Sequence, residues 1–214
     1  MTFEIPVPGP SEAFSTVEIG PADVPVWYHV YCTREHPNRA DTFSEGWGNT
    51  RFAPILREDG TPVHTYYAAS TVECALMESV LHDIPLLPPG MFDVDDLQYF
   101  RLAQFTLSEP LSCVSFHTPY LPALQNIARA QLIDSLPAFY SHTRAWAQAA
   151  YLQRQDAQAI AYGSRRDDSG RCLMLFKHRM PDQPFMIVND EPLALSPRRQ
   201  QVLTLIRRLR IREI

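Results

Sequence analysis

The chain has no Cys-x-x-Cys pair, no Gly-x-Ser-x-Gly elbow, and no apolar run near the ~18 residues of a membrane span. The first absence, together with the lack of any short Cys/His spacing, argues against a zinc site. The four cysteines (Cys32, Cys74, Cys113 and Cys172) then read as free thiols, three of them in apolar runs. His82, His117 and His142 show no metal spacing either, so they read as structural and no metal is expected. The second absence, with no histidine placed for a triad, argues against a serine nucleophile. The third leaves no membrane partner. Met1-Thr2-Phe3-Glu4-Ile5-Pro6 has no basic stretch followed by an apolar one, so a signal peptide is not expected and a cytoplasmic protein is. Glycine is scarce, eight against nineteen prolines, which favours rigid loop corners over flexible linkers. A net charge of −5 disfavours a nucleic-acid footprint over the whole surface.

What is present fits one large domain. The chain has 214 residues and 45% hydrophobic content, enough for a substantial core. Residues 1–26 read as a Pro-rich N-terminal arm. Val26 to Tyr31 reads as the first strand. The central stretch runs from His64 to Glu78. Tyr66 and Tyr67 end a β-friendly run, and Ser70 with Glu73 three residues on has the capping-box pattern of a helix start. The helical period from Thr71 places Cys74, Ala75, Glu78 and His82 on one face, and the helix is expected to stop before Pro85. Further on, 86–92 reads as a loop and 99–107 and 111–116 as strands. Residues 121–133 and 143–153 read as helices, and 157–162, 171–177 and 185–188 as strands. Ser196-Pro197 opens a final helix, with Ser196 as cap and Pro197 at its first position. Its stripe is Val202, Leu205, Ile206 and Leu209. Its many arginines read as a solvated basic face, as a docking surface for an acidic partner or as a self-association element.

Three motifs in order resemble a known family. They are Gly48-Asn49-Thr50-Arg51-Phe52-Ala53-Pro54, then Tyr67-Ala68-Ala69-Ser70 followed by Ala75-Leu76-Met77-Glu78, and Gly163-Ser164-Arg165. They resemble the RES-domain toxins, named for an arginine, a glutamate and a serine, over a stretch from about Trp27 to Phe176. The resemblance implies an α+β single domain of mixed and antiparallel sheets with flanking helices, like the ADP-ribosyltransferase fold. Residues 27–195 would form the NAD-binding domain, and 196–214 a basic C-terminal helix belonging to it. It also implies cleavage of the nicotinamide–ribose bond of NAD, with ADP-ribose passed to inorganic phosphate, to water or to a protein. The usual partner in the family is an Xre-type antitoxin, and a homodimer is left open. One departure stands out: Trp27-Tyr28-His29-Val30 has histidine where many members have arginine. A histidine lacks the bidentate fork for a phosphate, and Arg34 is the nearby substitute. That departure keeps open a third reading, a RES-like domain that binds without catalysis.

The residue types suit that chemistry. Glu78 would stabilise positive charge developing on the ribose, although a helix glutamate is ordinarily a solvated one. Arg51, following a glycine-containing loop, offers a planar fork to pyrophosphate. Tyr67 precedes Glu78 by eleven positions and would stack on nicotinamide or bond a ribose hydroxyl. Tyr66 competes for that role, but adjacent strand residues face opposite sides. Ser164, at the end of a buried strand, would bind the nicotinamide amide or a phosphate oxygen, or else cap a turn. Arg165 and Arg166 would add phosphate donors or pair with Asp167 and Asp168.

Overall fold

The computed structural model describes residues 4–214. Its strands in chain order are β1 (Thr16–Ile19), β2 (Trp27–Cys32), β3 (Thr65–Ala69), β4 (Met91–Phe92), β5 (Phe100–Leu107), β6 (Leu111–Ser115), β7 (Ala159–Gly163), β8 (Arg171–Phe176), β9 (Phe185–Pro192) and β10 (Arg212–Glu213). Eight of them form one sheet in the order β1-β6-β7-β8-β3-β2-β5-β9, and β10 pairs with β4 apart from it. Within the large sheet only β6 and β7 run parallel; the other neighbours are antiparallel. The helices are α1 (Val72–Met77), α2 (Arg129–Leu132), α3 (Tyr140–Gln153) and α4 (Arg198–Arg208). This is the mixed α+β single domain expected.

Strand alternation sorts the core into two faces. Along β8, Met174 and Phe176 join the larger cluster with α1, α3 and α4, while Leu173 and Leu175 join the second with Trp27, Tyr66 and Phe105. Both faces are covered, so β7 and most of β8 are buried throughout. The helix face of Cys74 and Ala75 lets α1 lie close to the sheet: the Sγ atoms of Cys74 and Cys172 are 3.6 Å apart as free thiols. Gly170 is needed beside them, because a Cβ there would lie 2.2 Å from the Cys74 sulfur.

Several local expectations are corrected. The cap of α1 is Thr71, whose side chain accepts from the Cys74 N–H. Ser70 instead accepts the Arg171 N–H, and Glu73 pairs with Arg208 on α4. The helix also ends early, leaving Glu78 at its C-cap rather than inside it. Residues 121–133 are not one helix. Pro122 lacks the N–H that a longer helix would use, and Gln125 and Asn126 adopt φ of 53° and 57°, so a 3-10 turn (Thr118–Ala123) and the short α2 replace it. Pro197, not Ser196, holds the cap position of α4, with no side-chain cap bond. The loop at 86–92 ends in β4.

The N-terminal arm is partly a strand, since β1 extends the sheet edge beside β6. Before it, the arm lies against α3, where the Trp146 Nε1–H donates to the Pro6 carbonyl at 2.7 Å and Gln153 donates to the Gly9 carbonyl at 2.9 Å. Trp146 is fully buried and meets Phe14 edge-on at 6.2 Å. Trp146→Ala should therefore lower unfolding stability by about 3–5 kcal/mol in a denaturant titration, with the arm released toward proteolysis.

Candidate active site

The site begins at Glu78. Its Oε1 accepts the Ser164 hydroxyl at 2.6 Å and the Arg165 backbone N–H at 3.1 Å. Its Oε2 lies 3.7 Å from Arg51 Nη1, an ion pair too long for a hydrogen bond. Ser164 is fully buried, and its Oγ in turn accepts the N–H groups of Arg166 at 3.0 Å and Asp167 at 2.9 Å. Its one donor and both lone pairs are thereby used. Ser164 orients the carboxylate and shapes the turn after β7, and it presents no free hydroxyl to a ligand.

Arg51 reaches the site along a loop in which Gly46 and Gly48 take φ of +101° and +94°, a region that favours glycine. The loop is pinned where Thr143 on α3 donates to the Arg51 carbonyl. The side chain is only 4% exposed, yet Nε and Nη2 have no hydrogen-bond partner. Its guanidinium carbon is 5.9 Å from both the Phe52 and Tyr140 ring centres. Each buried, unpartnered donor costs about 1–3 kcal/mol, so this group is poised for an anion.

Tyr67 projects to the same face. Its hydroxyl shares a 2.7 Å hydrogen bond with Thr50 Oγ1, and burial pushes its phenol well above the usual range, which keeps it a neutral donor. Tyr66 points the other way and donates to the Ala40 carbonyl at 2.7 Å. Arg51, Tyr67 and Glu78 border one cleft of about 480 Å³, which is also lined by Asn49, Thr50, Phe52, His82, Tyr140 and Tyr162. That volume suits a small-molecule ligand. A larger concavity, about 1020 Å³ around Phe43 and Phe185, contains none of these residues. Among the described residues, no group of three His, Cys, Asp or Glu side chains is placed to hold a metal ion.

The family model for the RES domain matches residues 26–196, most of the chain. The chain belongs to the RES-domain family. Its fold is similar to that of a chain in the crystal structure of the M. tuberculosis MbcT–MbcA toxin–antitoxin complex. The TM-score is 0.61 at 15% identity, covering 88% of this chain and 91% of that one. No curated protein sequence matches the chain.

Of three further candidate ligand contacts of this RES domain, only His29 lines the cleft, and none brings it a charged side chain. The register that sets Tyr28 opposite Ala69 puts His29 on the face of Ala68 and Tyr66, away from Tyr67. Its ring meets Tyr66 at a tilt, with 4.0 Å between ring centres, and Nδ1 donates to the Tyr67 carbonyl at 2.7 Å. Burial lowers its pKa to about 4, so near neutrality it carries no charge for a phosphate. Arg34 is exposed, pairs with Asp96 and covers the Tyr99 ring, so it is no substitute within the cleft. Arg165 contributes its backbone N–H, while its side chain donates to the Ser135 carbonyl at 3.0 Å. Arg166 likewise bonds the His82 and Ile84 carbonyls rather than Asp167 or Asp168.

Other lining residues escaped the sequence reading. His82 lines the cleft although its lack of metal spacing reads as structural; the sequence signal is its place four residues after Glu78, even though α1 ends before both. Tyr140 had no such signal, because it comes from the first turn of a helix that begins earlier than its periodicity implied.

Two outcomes follow. Ser164→Ala orphans two backbone N–H groups and frees Glu78, so thermal unfolding should show a loss of about 1–3 kcal/mol. His29 is neutral in the folded state but titrates near 6.5 when unfolded. The unfolded chain therefore binds the extra proton, and stability should fall as pH drops from about 6.5 toward about 4. His29→Gln should flatten that part of the urea-midpoint-versus-pH curve.

Proposed function

We propose that this RES domain is the toxin of a toxin–antitoxin pair and degrades NAD by cleaving its nicotinamide–ribose bond. The observation that carries the reading is the buried Arg51 guanidinium with two unpartnered nitrogens, set beside a carboxylate held rigid by Ser164. A pyrophosphate would supply acceptors for the two unpartnered Arg51 nitrogens. As nicotinamide departs, positive charge builds on the ribose, and the Glu78 carboxylate is held where it would stabilise that charge. Because Ser164 and the Arg165 N–H already fix its orientation, little reorganisation is needed at the moment of bond breaking. Phe52, Tyr67 and Tyr140 offer flat apolar surface to the base and the pyridine ring. NAD enters as substrate, with inorganic phosphate or water as acceptor. The likeness to a chain from a toxin–antitoxin complex supports an antitoxin as partner, and one that covered the cleft would hold the toxin inactive.

Purified protein incubated with NAD, with and without phosphate, should release nicotinamide in at least one condition. Glu78→Gln should cut the rate about 10²–10³-fold while keeping the fold, as expected for loss of one preorganised electrostatic group. Arg51→Lys should raise KM more than it lowers kcat, because a point charge replaces a fork. Folded protein that releases no nicotinamide in either buffer would count against the proposal.

A further inference from the structure

We propose that His82 accepts the proton of the attacking water during NAD hydrolysis, with Asp83 holding its imidazole in place. The inference rests on the NAD-cleaving reading above. It starts from what the other cleft groups have left to offer. Glu78 Oε1 already takes two donors, and Oε2 faces Arg51. The Ser164 hydroxyl is fully engaged. Burial holds the Tyr67 phenol as a donor, and the His29 ring lies on the opposite face of the sheet. His82 remains.

The geometry suits the task. His82 Nδ1 donates to Asp83 Oδ1 at 2.8 Å, which leaves Nε2 as the acceptor. Nε2 faces the Tyr140 hydroxyl across 3.4 Å, a weak contact that a water readily replaces. The side chain is 20% exposed, so solvent reaches it, and the Arg166 Nη1 bond to the His82 carbonyl holds the backbone. The charged and titratable groups around the ring are Asp83 beside it, Glu78 one turn before, Arg51 from the glycine loop, Arg166 from the turn after β7, and Tyr140 from α3.

In the step itself, the water oxygen bonds to the anomeric ribose carbon as the carbon–nitrogen bond breaks. The electron pair of that bond returns to the pyridinium ring, and nicotinamide leaves neutral. The surplus water proton passes to Nε2 and then to solvent, giving ADP-ribose, nicotinamide and one proton. Phosphate dianion arrives with a free oxyanion and needs no such base.

The test compares parent, His82→Gln and Asp83→Asn as full chains, measuring nicotinamide release from pH 5.5 to 8.5 with and without phosphate, and NAD affinity by calorimetry. His82→Gln should lose about 10²-fold or more of the hydrolytic rate together with the acidic limb of its pH profile. Its NAD affinity should stay within about twofold, and the phosphate-dependent rate should fall less than about tenfold. Asp83 is 86% exposed, so its variant keeps the fold. Removing that carboxylate should lower the hydrolytic rate more than the phosphate-dependent rate. A parent-like hydrolytic rate in Asp83→Asn or in His82→Gln, equal losses with and without phosphate, or a parent that uses phosphate alone overturns the role of His82. A parent that releases no nicotinamide at all overturns this role and the function beneath it.

Discussion

The carboxylate of Glu78 ties together three parts of the chain that are far apart in sequence. It closes α1, accepts the hydroxyl and the following N–H from the turn after β7, and faces the guanidinium delivered by the glycine loop. The central sheet exists in part to make it possible: β3 delivers α1, β7 delivers Ser164, and β8 separates the two strands while pairing with both. A shift of register by one residue along β3 would send Tyr67 to the wrong face and Tyr66 into the cleft.

Around that contact the protein spends stability on readiness. Arg51 is buried with two nitrogens unpartnered, which a structure built only for folding would avoid. The cost is offset by the packing of the two core faces on either side of the sheet, where Trp27, Trp146, Phe105 and Phe176 are fully buried. The turn after β7 shows the same division of labour. Arg165 and Arg166 spend their side chains on backbone carbonyls of neighbouring segments, so the loop that carries Ser164 is anchored at several points.

Much of this was legible beforehand, and the reasons differ by residue. Strands β2, β3, β5, β7 and β8 announced themselves by β-rich apolar runs. The Tyr67-to-Glu78 spacing was readable because a strand running into a helix has few ways to fold. His29 was misleading because a one-dimensional pattern marks a position within a motif but not the face of the sheet on which its side chain emerges. Arg34 was drawn in by closeness in sequence, whereas an exposed partner, Asp96, holds it outside. The helix expected over 121–133 does not form because its apolar spacing is helical while Pro122 and the left-handed Gln125 and Asn126 are not.

The sequence by itself determined the family motifs, the identity of the arginine, tyrosine, glutamate and serine, and the α+β character, because these follow from residue type and local period. Only the tertiary structure decided that Ser164 supports the carboxylate instead of meeting a ligand, that His29 turns its ring away, and that His82 and Tyr140 share the cleft. Those outcomes depend on sheet order and on which hydrogen-bonding groups are already occupied, and neither is written in any local stretch of chain.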